Sequence, residues 1–172
     1  MLNDANGHYY ELVCNGALTW DQAVAAASSS SYNSLPGHLA TVTDEAEHDF
    51  LTATFGTIGT TDVWLGGSDA AVEGSWQWIT GESWGAPNWG DQNWCGGEPN
   101  NDGNQDCLTY QTDASDCWDD LECEEDEEVS CYLVEYEATV PSLGSWGLAV
   151  LFAALLGSAL FLLSRRPRSQ NA

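Results

Sequence analysis

Lysine is absent from this chain, and its three arginines, Arg165, Arg166 and Arg168, all lie in the final eight positions. The chain has 27 Asp and Glu residues, and its formal net charge is −24. Nucleic acid and anionic membrane faces are polyanions that would repel such a chain, so we expect no nucleic-acid partner. Metal ions or salt are its natural counter-charges. The acids also fit a simpler interpretation, a surface adapted to a salty medium rich in divalent ions.

Catalytic motifs are scarce as well. The three histidines, His8, His38 and His48, are scattered along the sequence, and no His-Glu-x-x-His zinc motif occurs. With so many acids, a glycosidase that uses a pair of carboxylates is an alternative, but no motif shows which two acids would form the pair. The sequence therefore predicts a binding protein and not an enzyme.

Cysteines occur in an even number and are not grouped as paired Cys-x-x-Cys knuckles. This distribution in a short acidic chain favours disulfides over zinc, and hence an oxidising compartment. The six are Cys14, Cys95, Cys107, Cys117, Cys123 and Cys131. Six cysteines allow fifteen pairings, and spacing alone selects none of them.

The C-terminal part differs from the rest of the chain. No charged residue occurs from Leu143 to Leu163, a length that suits a transmembrane helix across a hydrocarbon core of roughly 30 Å. The arginines that follow predict a cytoplasmic tail at 164–172, which places the acidic part outside. A buried core helix is the alternative for 143–163. We therefore expect one domain at 1–137 and a linker at 138–142.

Residues 140–147 have the sequence Val-Pro-Ser-Leu-Gly-Ser-Trp-Gly and precede the apolar span. This arrangement resembles the tripartite C-terminal sorting signals of Gram-negative bacteria, of the type that begins Ile-Pro-Thr-Leu and carries a Trp-Gly pair. The resemblance implies an extracytoplasmic protein, anchored at the surface or released after tail processing. The chain opens without the basic and apolar segment of a signal peptide, so we expect a truncated start or a partial reading frame.

Local patterns in 1–137 predict strands and helices before a long irregular region. Thr19 and Gln22 have the spacing of a capping box at a helix start. Acids at Asp44, Glu45 and Glu47 complement the dipole of a second helix start. The predicted order is a strand at 8–13, a helix from Trp20, a strand at 37–42, a second helix, an irregular region at 63–120 and a closing strand at 131–137.

The irregular region collects oxygen ligands in two places. Glu98 and Asn100 flank Pro99 in one, and Asp119 and Asp120 follow a tryptophan in the other. Calcium takes six to eight oxygens from carboxylates, amides and carbonyls, so both stretches are candidate ligands. Taken alone, Glu-Pro-Asn is also an ordinary turn.

The order and spacing of several motifs make the chain from Tyr9 to Glu135 similar to a C-type lectin domain. The motifs are Trp20 with its helix, Gly-His-Leu-Ala-Thr-Val at 37–42, Trp-Leu-Gly-Gly at 64–67, Trp-Gln-Trp at 76–78, Thr-Gly-Glu at 80–82, Glu-Pro-Asn at 98–100, Asp106 with Cys107, Trp-Asp-Asp at 118–120, and Cys123 with Cys131. The resemblance implies an α+β fold of two helices and mixed antiparallel sheets, with paired first and last strands and a long irregular calcium loop.

The same resemblance implies a function and a set of site residues. In such domains a calcium ion in the loop coordinates two neighbouring hydroxyls of a sugar. The ligands carried over are Glu98, Asn100, Gln105, Asp119 and Asp120, and all but Asp120 also contact the sugar. Glu98 and Asn100 have the order associated with mannose, glucose and fucose. Gln105 and Asp119 depart from the family, because the acid and the amide have changed places while the ligand charge is unchanged.

Further expectations follow from the resemblance. Asp69, Glu73, Asn101 and Asp106 match an auxiliary calcium site, although an unpaired solvated pair of acids is the alternative. The implied disulfides are Cys107–Cys123, Cys14–Cys131 and Cys95–Cys117. Trp89 and Trp94, beside Glu98, are candidates for ligand contact. The rival function is a protein- or surface-binding module in which calcium only rigidifies the loop.

Overall fold

The computed structural model describes residues 1–56, 62–84, 92–111, 116–124 and 129–137. Two helices and eight strands occur in these ranges, and the α+β class is confirmed. They are β1 (Tyr9–Cys14), α1 (Trp20–Ser29), β2 (Ser31–Tyr32), β3 (Leu35–Leu39), α2 (Glu45–Phe55), β4 (Asp62–Ser68), β5 (Gln77–Trp78), β6 (Cys107–Gln111), β7 (Cys117–Leu121) and β8 (Cys131–Tyr136).

The predicted linker, transmembrane helix and basic tail, at 138–172, lie outside the described residues, as does Trp89. No helix in the described part of the chain is both long enough and apolar enough to cross a bilayer.

Both helices begin where local chemistry predicts. The Thr19 side chain accepts a hydrogen bond from the Gln22 backbone, and the Gln22 side chain accepts one from the Thr19 backbone, so the capping box at α1 is confirmed. Asp44 caps α2 by accepting from the backbone N–H of Glu47 at 2.9 Å. Side-chain oxygens at these positions satisfy helix N–H groups that have no partner within the helix.

Strand β8 lies at the centre of the sheet. It pairs antiparallel with β1 along one edge, and with β3 antiparallel and β4 parallel along the other. All six of its residues are buried, including Glu135. The closing strand predicted from the alternation of Tyr132, Val134 and Tyr136 is therefore covered on both faces.

The β6–β7 hairpin positions the long loop. Trp76, Trp78 and Trp118 pack in one core cluster and Trp64 in another, as expected of residues in the core. The structure contains the three disulfides that the resemblance implied, Cys14–Cys131, Cys95–Cys117 and Cys107–Cys123.

Candidate metal centre in the long loop

Three carboxylates from two stretches of the chain meet in the loop. One oxygen each of Glu98, Asp119 and Asp120 lies within 4.8 Å of the other two. The stretch before Glu98 is tied to β7 by the Cys95–Cys117 bridge and by the Cys95 N–H, which donates to the Trp118 carbonyl at 2.8 Å. The structure therefore brings together the acidic members of the predicted ligand set.

Asp120 holds the loop in place. Its two carboxylate oxygens accept from the backbone N–H groups of Asn100 and Asn101, at 3.1 and 2.9 Å. The residue is 1% exposed, so these bonds are screened little by water. Asp120 therefore fixes the backbone that carries Asn100.

The two predicted amide ligands also converge. The side-chain oxygens of Asn100 and Gln105 both accept from the backbone N–H of Asp102, at 2.7 and 3.0 Å. The Gln105 backbone N–H in turn donates to the Asn101 side chain at 2.8 Å. All five predicted primary ligands thus belong to one connected region.

The electrostatics of this region suit a hard cation. Glu98 Oε2 is buried and has no hydrogen-bond partner among the described residues. Burial, and then the charges of Asp119 and Asp120, raise the pKa of Glu98. Burial and the neighbouring Asp120 charge also raise the pKa of Asp119. A divalent ion bound by oxygen would relieve both the repulsion and the unsatisfied oxygen, so the residues present fit calcium.

Gln111 is a site residue that the sequence did not reveal. Its side-chain amide donates to Asp119 Oδ2 at 2.8 Å. Asp119 faces Thr109 across the hairpin, and Gln111 is two residues beyond Thr109, on the same face of the sheet. The only signal that could have identified Gln111 was the register of the hairpin, and that register is known only once the fold is known.

The predicted auxiliary residues are less closely gathered. Asp69 is 2% exposed, and its Oδ2 accepts from the Gly74 N–H at 2.8 Å. Burial, then the charges of Glu73 and Asp106, raise the pKa of Asp69. The described residues contain two groups of three His, Cys, Asp or Glu ligands, and neither includes these acids. The fourth residue of the predicted set, Asn101, uses its side-chain oxygen to accept a hydrogen bond from the Gln105 backbone. The auxiliary calcium site therefore stays a prediction.

Trp94 lies on the core side of the loop. Its ring packs against Trp76 at 4.9 Å and Trp118 at 6.2 Å between centroids, and its side chain is half-buried. Only its remaining exposed part is open to a ligand.

Ser83 lies in a Gly-x-Ser-x-Gly match at 81–85, a spacing also found in serine hydrolases. Those enzymes need the serine on a sharp strand-to-helix turn. The described chain around Ser83, at 79–84, forms neither strand nor helix. The match therefore gives no support to a hydrolase.

Comparison with known proteins shows the family of this chain. A family model described as the lectin C-type domain matches residues 17–133. The chain belongs to the C-type lectin domain family. Membership supports carbohydrate binding in general, and domains of this kind are generally non-enzymatic.

Individual relatives of this C-type lectin domain cover different shares of its length. Halomucin from Haloquadratum walsbyi is 41% identical over 103 residues, which are 55% of this chain and 1% of that protein. A type-2 ice-structuring protein from Hemitripterus americanus is 31% identical over 115 residues, 67% of this chain and 60% of that protein. The chain thus spans less than two thirds of either relative.

A solved structure gives the same fold. The carbohydrate-recognition domain of cow CD23, crystallised in the presence of a GlcNAc2Man3 oligosaccharide, superposes with a TM-score of 0.60 at 27% identity. The match covers 77% of this chain and 89% of that domain.

Proposed function

We propose that this C-type lectin domain binds carbohydrate through a calcium ion held by Glu98, Asn100, Gln105, Asp119 and Asp120. The observation that carries the proposal is the buried Glu98 Oε2, which has no hydrogen-bond partner among the described residues and faces two further carboxylates. Burying such a group without a partner is costly, and a cation is the simplest ligand that satisfies it.

The chemistry of a sugar hydroxyl explains why acids and amides alternate around the ion. One hydroxyl can give a lone pair to calcium, accept from an amide and donate to a carboxylate. Glu98 and Asn100 supply one such pair. Gln105 and Asp119 supply the other with donor and acceptor exchanged, so we propose a mannose-, glucose- or fucose-type ligand whose second hydroxyl is held in the reverse sense.

A second candidate is a domain that binds a protein or another surface, with calcium only rigidifying the loop. The hydrogen bonds from Asn100 and Asn101 to Asp120 favour it, because they order the loop without any sugar. The ice-structuring relative is consistent with a ligand other than sugar.

Display at the cell surface is part of the proposal and rests on the tail. The apolar run at 143–163 and the arginines after it would anchor the domain with its C-terminus in the cytoplasm, or address it for processing and release.

Titration calorimetry tests the function directly. The chain is titrated with calcium, then with mannose, fucose and galactose, with and without a chelator. We expect Glu98→Gln to lower calcium affinity roughly tenfold or more, because ligand charge sets the affinity of such sites. Glu124→Gln is the matched control, since Glu124 is exposed and lies outside the ligand set.

Sugar binding that persists in the chelator would overturn the proposal. Calcium binding with no response to any of the sugars would favour the second candidate.

A further inference from the structure

The first eight residues turn back along the sheet and form a small hairpin, here called the N-terminal hairpin (residues 1–8). Leu2 forms an antiparallel bridge with the first residue of β1. The backbone N–H of Asn3 donates to the His8 carbonyl at 2.9 Å. These backbone contacts stay within the hairpin or reach only β1. The side chains of Asn6 and His8 extend further and attach the hairpin to other elements.

Both ring nitrogens of His8 face carboxylate oxygens on or just after β8. Nδ1 lies 2.5 Å from Glu135 Oε1, and Nε2 lies 3.2 Å from Glu137 Oε2. An ionised carboxylate only accepts hydrogen bonds, and a neutral imidazole has a single N–H to donate. A ring with an acceptor at each nitrogen satisfies both contacts only when both nitrogens carry a proton. The geometry therefore favours the charged imidazolium form of His8.

Glu135 is a buried acid that needs a positive partner, since it is 1% exposed. Its Oε2 accepts from the Thr41 N–H at 3.0 Å, which leaves Oε1 for His8 and for the Tyr10 hydroxyl, 2.9 Å away. The same hydroxyl contacts Glu47, a second carboxylate that is 5% exposed. Burying carboxylates together is costly unless a cation accompanies them.

Few positive groups are available to accompany these acids. The first 164 residues contain no lysine or arginine. The ammonium group of Met1 donates to a backbone carbonyl. His38 contacts Glu137, with its Nε2 3.4 Å from Oε1 of that acid. Within the described chain, His8 is therefore the cation in contact with Glu135.

We propose that the imidazolium of His8 attaches the N-terminal hairpin to β8 as the counter-charge of Glu135 and Glu137, and that a rise in pH releases the hairpin. Loss of the proton removes one N–H from the ring and leaves a lone pair opposite a carboxylate. The other side-chain attachment is then the amide of Asn6, which donates to Glu47 Oε1 at 3.0 Å. A two-stranded hairpin without further support is only marginally stable, so its own hydrogen bonds should open as well.

The neighbours of His8 set the direction of this pH response. The hydrogen bond to Glu135 raises the pKa of His8, burial lowers it, and the charges of the surrounding acids raise it further. Those acids are Glu135, Glu137 and Glu47. The attachment thus contributes its full stability below about pH 6.5, the ordinary pKa of histidine, and loses it as the pH rises through the raised pKa. Burial and the nearby acids also raise the pKa of Tyr10, so its phenol keeps its proton meanwhile.

The test uses the full, unaltered chain in a metal chelator, which keeps trace metal off the imidazoles. Proton–nitrogen NMR follows the ring nitrogens of the three histidines from about pH 5 to about pH 9. Hydrogen exchange reports the hairpin through the amides of Asn3 and Gly7, which donate inside it. We expect His8 to titrate above about pH 6.5 and both protection factors to fall at least about tenfold with the same midpoint. The Ala23 amide at the start of α1 is the control and keeps its protection.

Two variants separate the charge of His8 from its shape. His8→Gln keeps a side-chain donor without the charge, so the hairpin amides should be poorly protected at every pH. His8→Arg keeps the charge throughout, and its planar fork can meet both acids, so protection should no longer depend on pH. Glu137→Gln removes one acceptor, and the proton affinity of His8 should fall at least about threefold.

Several results would overturn the proposal. One is a His8 that titrates at or below about pH 6.5 in the unaltered chain, and another is hairpin protection that does not change across its titration. A release midpoint that differs from that of His8 would assign the response to another group, such as Glu47, whose pKa burial and the charge of Glu135 raise. Equal protection in His8→Gln and His8→Arg at every pH would show that the charge has no part in the attachment.

Discussion

The side-chain amide of Gln111 donates a hydrogen bond to Asp119 at 2.8 Å. Asp119 is the acid that stands where C-type lectin domains usually have an amide, and the amide from the neighbouring strand restrains it. One of its oxygens is thereby occupied, which leaves the other to meet a cation. Gln111 thus orients Asp119, a proposed calcium ligand, without belonging to the proposed ligand set.

Replacing Gln111 by methionine removes this restraint while keeping the length of the side chain. We expect calcium affinity to fall about tenfold, because the partners that orient metal ligands commonly contribute tenfold or more. Titration calorimetry measures the change. Gln77→Met on β5 is the control, since Gln77 is exposed and lies outside the ligand set. Equal affinities of the two variants would contradict the assigned role of Gln111.

The Cys95–Cys117 bridge offers a separate test of how the loop is held. Its two cysteines are 22 residues apart in sequence, and replacing both by alanine should lower the free energy of unfolding by about 3 kcal/mol through lost loop-closure entropy. Calcium affinity should fall as well, because Cys95 lies three residues before Glu98 and Cys117 two residues before Asp119. Denaturant unfolding and calorimetry at low temperature measure the two effects.

The Cys14–Cys131 bridge is the matched control. It joins the end of β1 to the start of β8 over a separation of 117 residues, so its loss should cost more stability, about 5 kcal/mol. Because neither cysteine adjoins a loop ligand, the folded fraction should keep its calcium affinity. Near-ultraviolet circular dichroism gives that fraction. An equal loss of calcium affinity in both double variants would show that the Cys95–Cys117 bridge has no special part in the site.

Features that depend on neighbouring residues could be predicted from the sequence. The capping box of Thr19 and Gln22 involves residues three apart, and it placed the start of α1 correctly. The strand at β8 was also predicted from local alternation. The assembly of Glu98 with Asp119 and Asp120 was predicted only through the family resemblance, since no local pattern links the two stretches.

Features that depend on strand register could not be predicted. Gln111 contacts Asp119 only because Thr109 and Asp119 are partners in the β6–β7 hairpin. His8 and His38 were only scattered histidines in the sequence, because Glu137, which lies near both, is at the far end of the domain in sequence. Their approach to Glu137 requires that β8 insert between β1 and β3, which is a property of the whole sheet.

The excess of acids predicts that monovalent salt stabilises the fold. Up to Ser164 the chain has no Lys or Arg to offset its carboxylates, so repulsion among them opposes the compact state. Raising NaCl from 0.1 to 1 M shortens the screening length from about 10 to about 3 Å. We expect the melting temperature to rise by at least about 5 °C, which corresponds to roughly 1–2 kcal/mol in the free energy of unfolding.

Scanning calorimetry in a metal chelator isolates this effect from ion binding at the loop. Sucrose at equal osmolality is the control, because it acts through exclusion from the surface and does not screen charge. A melting temperature that does not change with NaCl in the chelator, but rises when calcium is added without the chelator, would contradict general repulsion. It would show that the acids which matter for stability are the few that surround Glu98, since only a bound divalent ion, and not diffuse screening, could then relieve them.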